Sequence, residues 1–151
     1  MDGDGDEQLS LADGLVRLSR LVQGVFAEVS ARHGLPVAQA RLLCVLAAQP
    51  RGMAELSGIL GVEKAALTGL ADRIERRGLA ERKAVPGDRR ALRVTLTAAG
   101  ERAAMAVHDE VSVEVSRLAG DLSATEREQL RGTLSRIVKV NTPPPTAARV
   151  G

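Results

Sequence analysis

Residues 54–96 read AELSGILGVEKAALTGLADRIERRGLAERKAVPGDRRALRVTL, and two changes of rhythm inside this stretch decide the fold. Segments 54–60 and 63–77 are short and helical in pattern with Gly61 between them, the layout of two helices joined by a tight turn. Leu56, Ile59, Leu60, Val62, Leu67, Leu70 and Ile74 are spaced so that both helices can share one core. After Gly78, a helix-ending glycine, the period switches to two, and 79–83 and 92–96 read as strands. Between them, 84–91 contains Pro86-Gly87-Asp88 and two arginines, a turn with a basic tip. Two helices and a hairpin in this order predict a winged helix-turn-helix with a two-stranded wing, in a chain that is mainly α with α+β character.

Outward from this stretch the chain is helical. On the N-terminal side Leu11, Leu15, Leu18, Val22, Val25 or Phe26, and Val29 recur at three and four, an amphipathic helix closed by His33 and Gly34. Pro36 suits the first turn of a second helix that passes through Leu42, Leu43, Val45 and Leu46 and stops at Pro50 and Gly52. On the C-terminal side Thr97 is placed to cap a long helix with apolar positions Ala104, Val107, Val111, Val115 and Leu118. Ser123 and Glu126 have capping-box spacing and open a last helix carrying Leu130, Leu134, Ile137 and Val138. Residues 1–8 read as a disordered acidic tail, and 141–151, with Pro143-Pro144-Pro145, as a disordered Pro-rich one. The helices at 9–34 and 98–140 carry longer apolar faces than a small winged helix at 35–97 can cover, which marks a dimerisation region.

Composition narrows the function. Phe26 is the only aromatic among 151 residues, so stacking platforms for single-stranded bases are absent. The formal net charge is only +2, yet residues 73–93 hold eight bases and three acids, a net of +5, and the rest of the chain sums to −3. A solvated helix face mixes signs, as Arg127, Glu128 and Arg131 do, whereas this cluster spans a helix end and both sides of the hairpin. Such a segment suits duplex DNA: Lys and Arg neutralise phosphates while a helix in the major groove reads base edges.

In that reading Lys64 donates to guanine N7 or O6, Ala65 touches a thymine methyl, and Thr68 bonds a base or phosphate. Arg73 meets the backbone, and Arg89 or Arg90 enters a narrow minor groove. Asp88, which DNA would repel, orients one of these guanidiniums by a bidentate pair.

These residues resemble the MarR (multiple antibiotic resistance regulator) family of winged-helix transcriptional regulators. Asp72-Arg73-Ile74-Glu75-Arg76-Arg77-Gly78-Leu79 matches the family's recognition-helix ending, and Asp88-Arg89-Arg90 with Leu96-Thr97 and Gly100 its wing pattern. The chain departs where many members have Ser-x-Pro, with Glu63-Lys64-Ala65, and where many have Arg, with Gly69. The resemblance implies a homodimer on a pseudo-palindromic operator, most simply a repressor, with DNA as partner and no cofactor. It also implies a small effector, a phenolic or other organic acid, held by Thr68 and Arg82. Against that role, Arg82 can simply meet phosphate or pair with Glu81 or Asp88.

Other chemistries have little support. Cys44 is the single cysteine, which excludes a disulfide framework, and its apolar neighbours argue for packing rather than peroxide sensing. His33, Cys44 and His108, with Asp109 or Glu110, have metal-ligand types without short ligand spacing, so no metal is expected. No glycine-rich phosphate loop, HExxH or nucleophile elbow points to an enzyme. The acidic N-terminus and the lack of a membrane-length apolar run make the cytoplasm the expected place, with no membrane partner. A winged helix used for protein interaction, or a metal- or redox-sensing regulator of the same fold, are the competing readings.

Overall fold

The computed structural model describes residues 8–143, with only the backbone of Arg89 and Arg90. The expected tails at 1–8 and 141–151 therefore lie outside the described residues except for Gln8 and residues 141–143, of which Asn141 ends the last helix.

Helix α1 (Leu11–Arg32) begins where Ser10 accepts the Asp13 N–H, and ends at His33 with Gly34 left-handed at φ +66. Helix α2 (Val37–Ala48) has Pro36 as its N-cap and buries Leu42 and Leu43 completely. A two-residue strand β1 (Arg51–Gly52) leads into α3 (Met53–Leu60), which Gly61 terminates at φ +64. Helix α4 (Lys64–Arg76) follows, then the wing strands β2 (Ala80–Val85) and β3 (Asp88–Leu96). Thr97 caps α5 (Ala98–Arg117), its hydroxyl accepting the Gly100 N–H at 3.1 Å. These elements, as far as Val115, form one compact unit around Leu42, Leu43, Leu56, Leu67, Ile74 and Val94.

Three expectations are corrected here. The sheet has three strands among the described residues, in the order β1-β3-β2 and all antiparallel, because Arg51 and Gly52 pair with Val94 and Arg93. The wing strands run further than the alternation suggests, so the expected loop at 84–91 shrinks to Pro86 and Gly87, with the register shifting between Ala84 and Val85. Ile59 does not share the core: Leu56 and Leu60 are four apart on the inner side of α3, and Ile59, between them, is 49% exposed.

From Ser116 a second unit contains α6 (Ala124–Asn141). Its capping box is complete, Ser123 accepting the Glu126 N–H and Glu126 accepting the Ser123 N–H. The two bonds to Ser123 hold the Glu126 carboxyl below the usual range. None of the α6 residues is buried.

Candidate nucleic-acid interface

Helix α4 turns Leu67, Leu70, Ala71 and Ile74 inward, a stripe at three and four that fixes which edge remains outside. That outer edge carries Lys64, Ala65 and Thr68, all exposed, and further along Arg73, also exposed. The Thr68 hydroxyl donates to the Lys64 carbonyl at 2.9 Å and keeps its lone pairs outward as acceptors. The Glu63 side chain makes no capping bond although Glu63 is the N-cap residue.

The basic segment is divided in the folded chain. Arg82, on β2, reaches back to α4: its Nε and Nη2 donate to Glu75 Oε2 at 3.0 and 2.7 Å, and Nη2 also donates to Asp72. The Glu75 bonds, then the Asp72 bond, push the Arg82 pKa up. Expected partners Glu81 and Asp88 are thus replaced, for a simple reason: neighbours on a strand point to opposite faces, and Glu81 pairs instead with Lys83 at 3.0 Å. Arg77 leaves the DNA side altogether, donating to Gln39 Oε1 and to the Gly34 carbonyl, both at 3.1 Å. Arg73, Arg76 and Arg93 stay exposed. The sequence count missed this sorting because Asp72 falls one residue before the counted segment and Gln39 lies in another helix.

At the wing, Gly87 has φ +85, a conformation that favours glycine and allows the two-residue turn. The backbone of Arg89 and Arg90 belongs to β3, directly after that turn. Their side chains lie outside the described residues, and with them the expected pairing of Asp88.

Thr68 and Arg82, the candidate effector residues, are differently placed. A cleft of about 370 Å³ is lined by Asp72, Glu75, Arg76 and Arg82, and Thr68 is not part of its lining. An organic acid at Arg82 has to displace two carboxylates that already hold it. Replacing Arg82 by glutamine is expected to lower stability by about 1 kcal/mol, since the carboxylates are partly solvated, and duplex affinity about tenfold by freeing the wing. Denaturant titration and a binding titration on the same sample check both; full affinity in the variant removes Arg82 as a strut between helix and wing.

The weak metal candidates do not converge. His33 Nε2 lies 2.6 Å from Glu110 Oε2, and Arg32 donates to the other oxygen at 2.5 Å. Cys44 and His108 instead line a cleft of about 290 Å³ between α2 and α5. Among the described residues no three His, Cys, Asp or Glu side chains form a metal set. Burial pushes the Cys44 thiol up, away from the reactive thiolate.

An exposed helix edge beside a basic hairpin defines the class: a winged helix-turn-helix. Within that class, residues 33–91 match the family model described as MarR family, and that segment belongs to it. MarR-family members are winged-helix transcription regulators that bind DNA. The apo form of Escherichia coli MarR is 26% identical, with 88% of this chain and 99% of that one covered at a TM-score of 0.78. Rv1404 of Mycobacterium tuberculosis is also 26% identical, covering 91% and 95% at 0.75. A MarR family protein of the same organism, Rv2887, in complex with salicylic acid, shares the fold at 23% identity, covering 87% and 98% at 0.71. Among curated proteins none matches the chain. Among the described residues no helix is long and apolar enough to cross a membrane.

Proposed function

We propose that this protein is a homodimeric, non-catalytic repressor that binds a pseudo-palindromic duplex operator through α4 and the wing, and that a small-molecule effector releases it. The observation that carries this reading is the sorting of charge on α4. Asp72 and Glu75 are turned to Arg82, so the edge bearing Lys64, Ala65, Thr68 and Arg73 is exposed with cations and no competing acid pair. In this reading Lys64, Ala65 and Thr68 meet base edges, Arg73 meets the phosphate backbone, and Asp88, Arg89 and Arg90 form the wing contact. The helical region at 9–34 and 98–140 holds two copies together over the 35–97 reading heads: Leu11 of α1 is 81% exposed and Val138 of α6 is 62% exposed. Two-fold symmetry then calls for half-sites about one helical turn apart. That a family relative holds salicylic acid supports the effector part of the proposal.

The test is a titration with duplexes selected from fragmented genomic DNA. Plotted as logarithms, affinity falls with salt with a slope of about 0.9 per phosphate contact. Arg90→Ala is expected to cost roughly 1–3 kcal/mol in operator binding with the oligomeric state unchanged. A shallow salt dependence with no preference over random duplex favours a protein partner instead.

A further inference from the structure

We propose that the cleft between α2 and α5 binds an amphiphilic organic cation, an ammonium group carried on an apolar chain, and that this occupancy is the signal that releases the operator. The second half rests on the function proposed above; the first does not.

The cleft holds about 290 Å³, at the small end of ligand-binding pockets. Its middle is apolar: Cys44 and Ala47 from α2, and Ala104 and Met105 from α5. The Cys44 thiol belongs to that apolar part, since burial keeps it protonated. The charged lining is of one sign. Glu101 and Asp109 are both on α5, and neither Lys nor Arg lines the cleft.

Spacing supplies the shape. Positions 101, 104, 105, 108 and 109 lie at i, i+3, i+4, i+7 and i+8, one stripe along α5. The two carboxylates are eight residues apart, about 12 Å along the axis, with the apolar positions between them. Neither makes an ion pair among the described residues. Glu101 sits in the first turn of α5, where the helix dipole alone accounts for an acid. Asp109 lies well inside the helix, where aspartate is a poor former and the dipole gives no such reason. His108, between them, offers a further acceptor when neutral. An organic acid entering here meets two like charges, whereas an ammonium meets their complement and buries its chain on Met105 and Ala104.

The experiment uses the full chain and three probes below their micelle-forming concentrations: 1,8-diaminooctane, octylammonium and octanoate. Calorimetric titration is expected to show both amines binding, the diamine about tenfold tighter because it reaches both carboxylates, and no binding of octanoate. Glu101→Gln and Asp109→Asn are each expected to weaken the diamine about fivefold, with melting temperature in the absence of ligand unchanged. Octanoate binding as tightly as the amines, or undiminished diamine binding in both variants, overturns the site. Amine binding that leaves the operator complex intact overturns its role as the signal. The Arg90→Ala variant separates the two readings, since it is expected to bind the diamine normally while losing operator.

Discussion

Gly100→Ala is expected to lose at least about 3 kcal/mol of stability, a large fraction of what a domain this size has. Gly100 is buried in the first turn of α5, and a Cβ there would sit inside the van der Waals shell of the Leu79 carbonyl oxygen and 2.8 Å from its carbon. Those atoms are backbone and are already committed. The Leu79 carbonyl accepts the Thr97 N–H at 3.1 Å, and the Thr97 hydroxyl donates to the Gly78 carbonyl at 2.6 Å. The start of α5 is thereby pinned to the start of the wing, and neither side can yield without losing a bond. Denaturant melts check this, with Gly58→Ala as comparison: that helical glycine meets nothing within 4 Å and is expected to gain several tenths of a kcal/mol. Equal midpoints for Gly100→Ala and the unaltered chain would show that the junction relaxes freely.

Ile137→Asp is expected to produce a monomer whose affinity for a palindromic operator is lower by about 10²–10⁴-fold, the loss of a second linked contact. Ile137 is exposed on α6, a helix that buries none of its own residues yet carries Leu130, Leu134 and Val138 on its surface. Its helicity depends on the Ser123–Glu126 capping box and not on that face, so the circular dichroism spectrum should be little changed. Sedimentation and a binding titration read the two effects; a dimer that survives the aspartate places its contacts elsewhere.

Much of the winged helix was legible in the sequence because its boundaries are set by local chemistry. Ser10, Thr97 and Ser123 cap the helices they were expected to cap, and Gly34, Gly61 and Gly78 take the left-handed conformations that end theirs. What depended on distant partners was less visible. Strand β1 is two residues long and exists only because Val94 and Arg93 are there to pair with it. Ile59 satisfies a helical spacing without facing the core. The basic segment was legible as charge but not as geometry: Arg77 and Arg82 look like their neighbours in the chain, and only the fold directs one to Gln39 and the other to Asp72 and Glu75. Signals for these existed only weakly, in the single strand step between Glu81 and Arg82 and in the helical spacing of Asp72 and Glu75.

The short elbow after α1 ties three helices together by polar bonds alone. Arg32 and His33 fasten it to Glu110 of α5, while the Gly34 carbonyl and the Gln39 side chain fasten it to Arg77 at the end of α4. A pull on α1 or α5 delivered at this elbow reaches the DNA-reading helix along a few hydrogen bonds, without repacking a single core leucine.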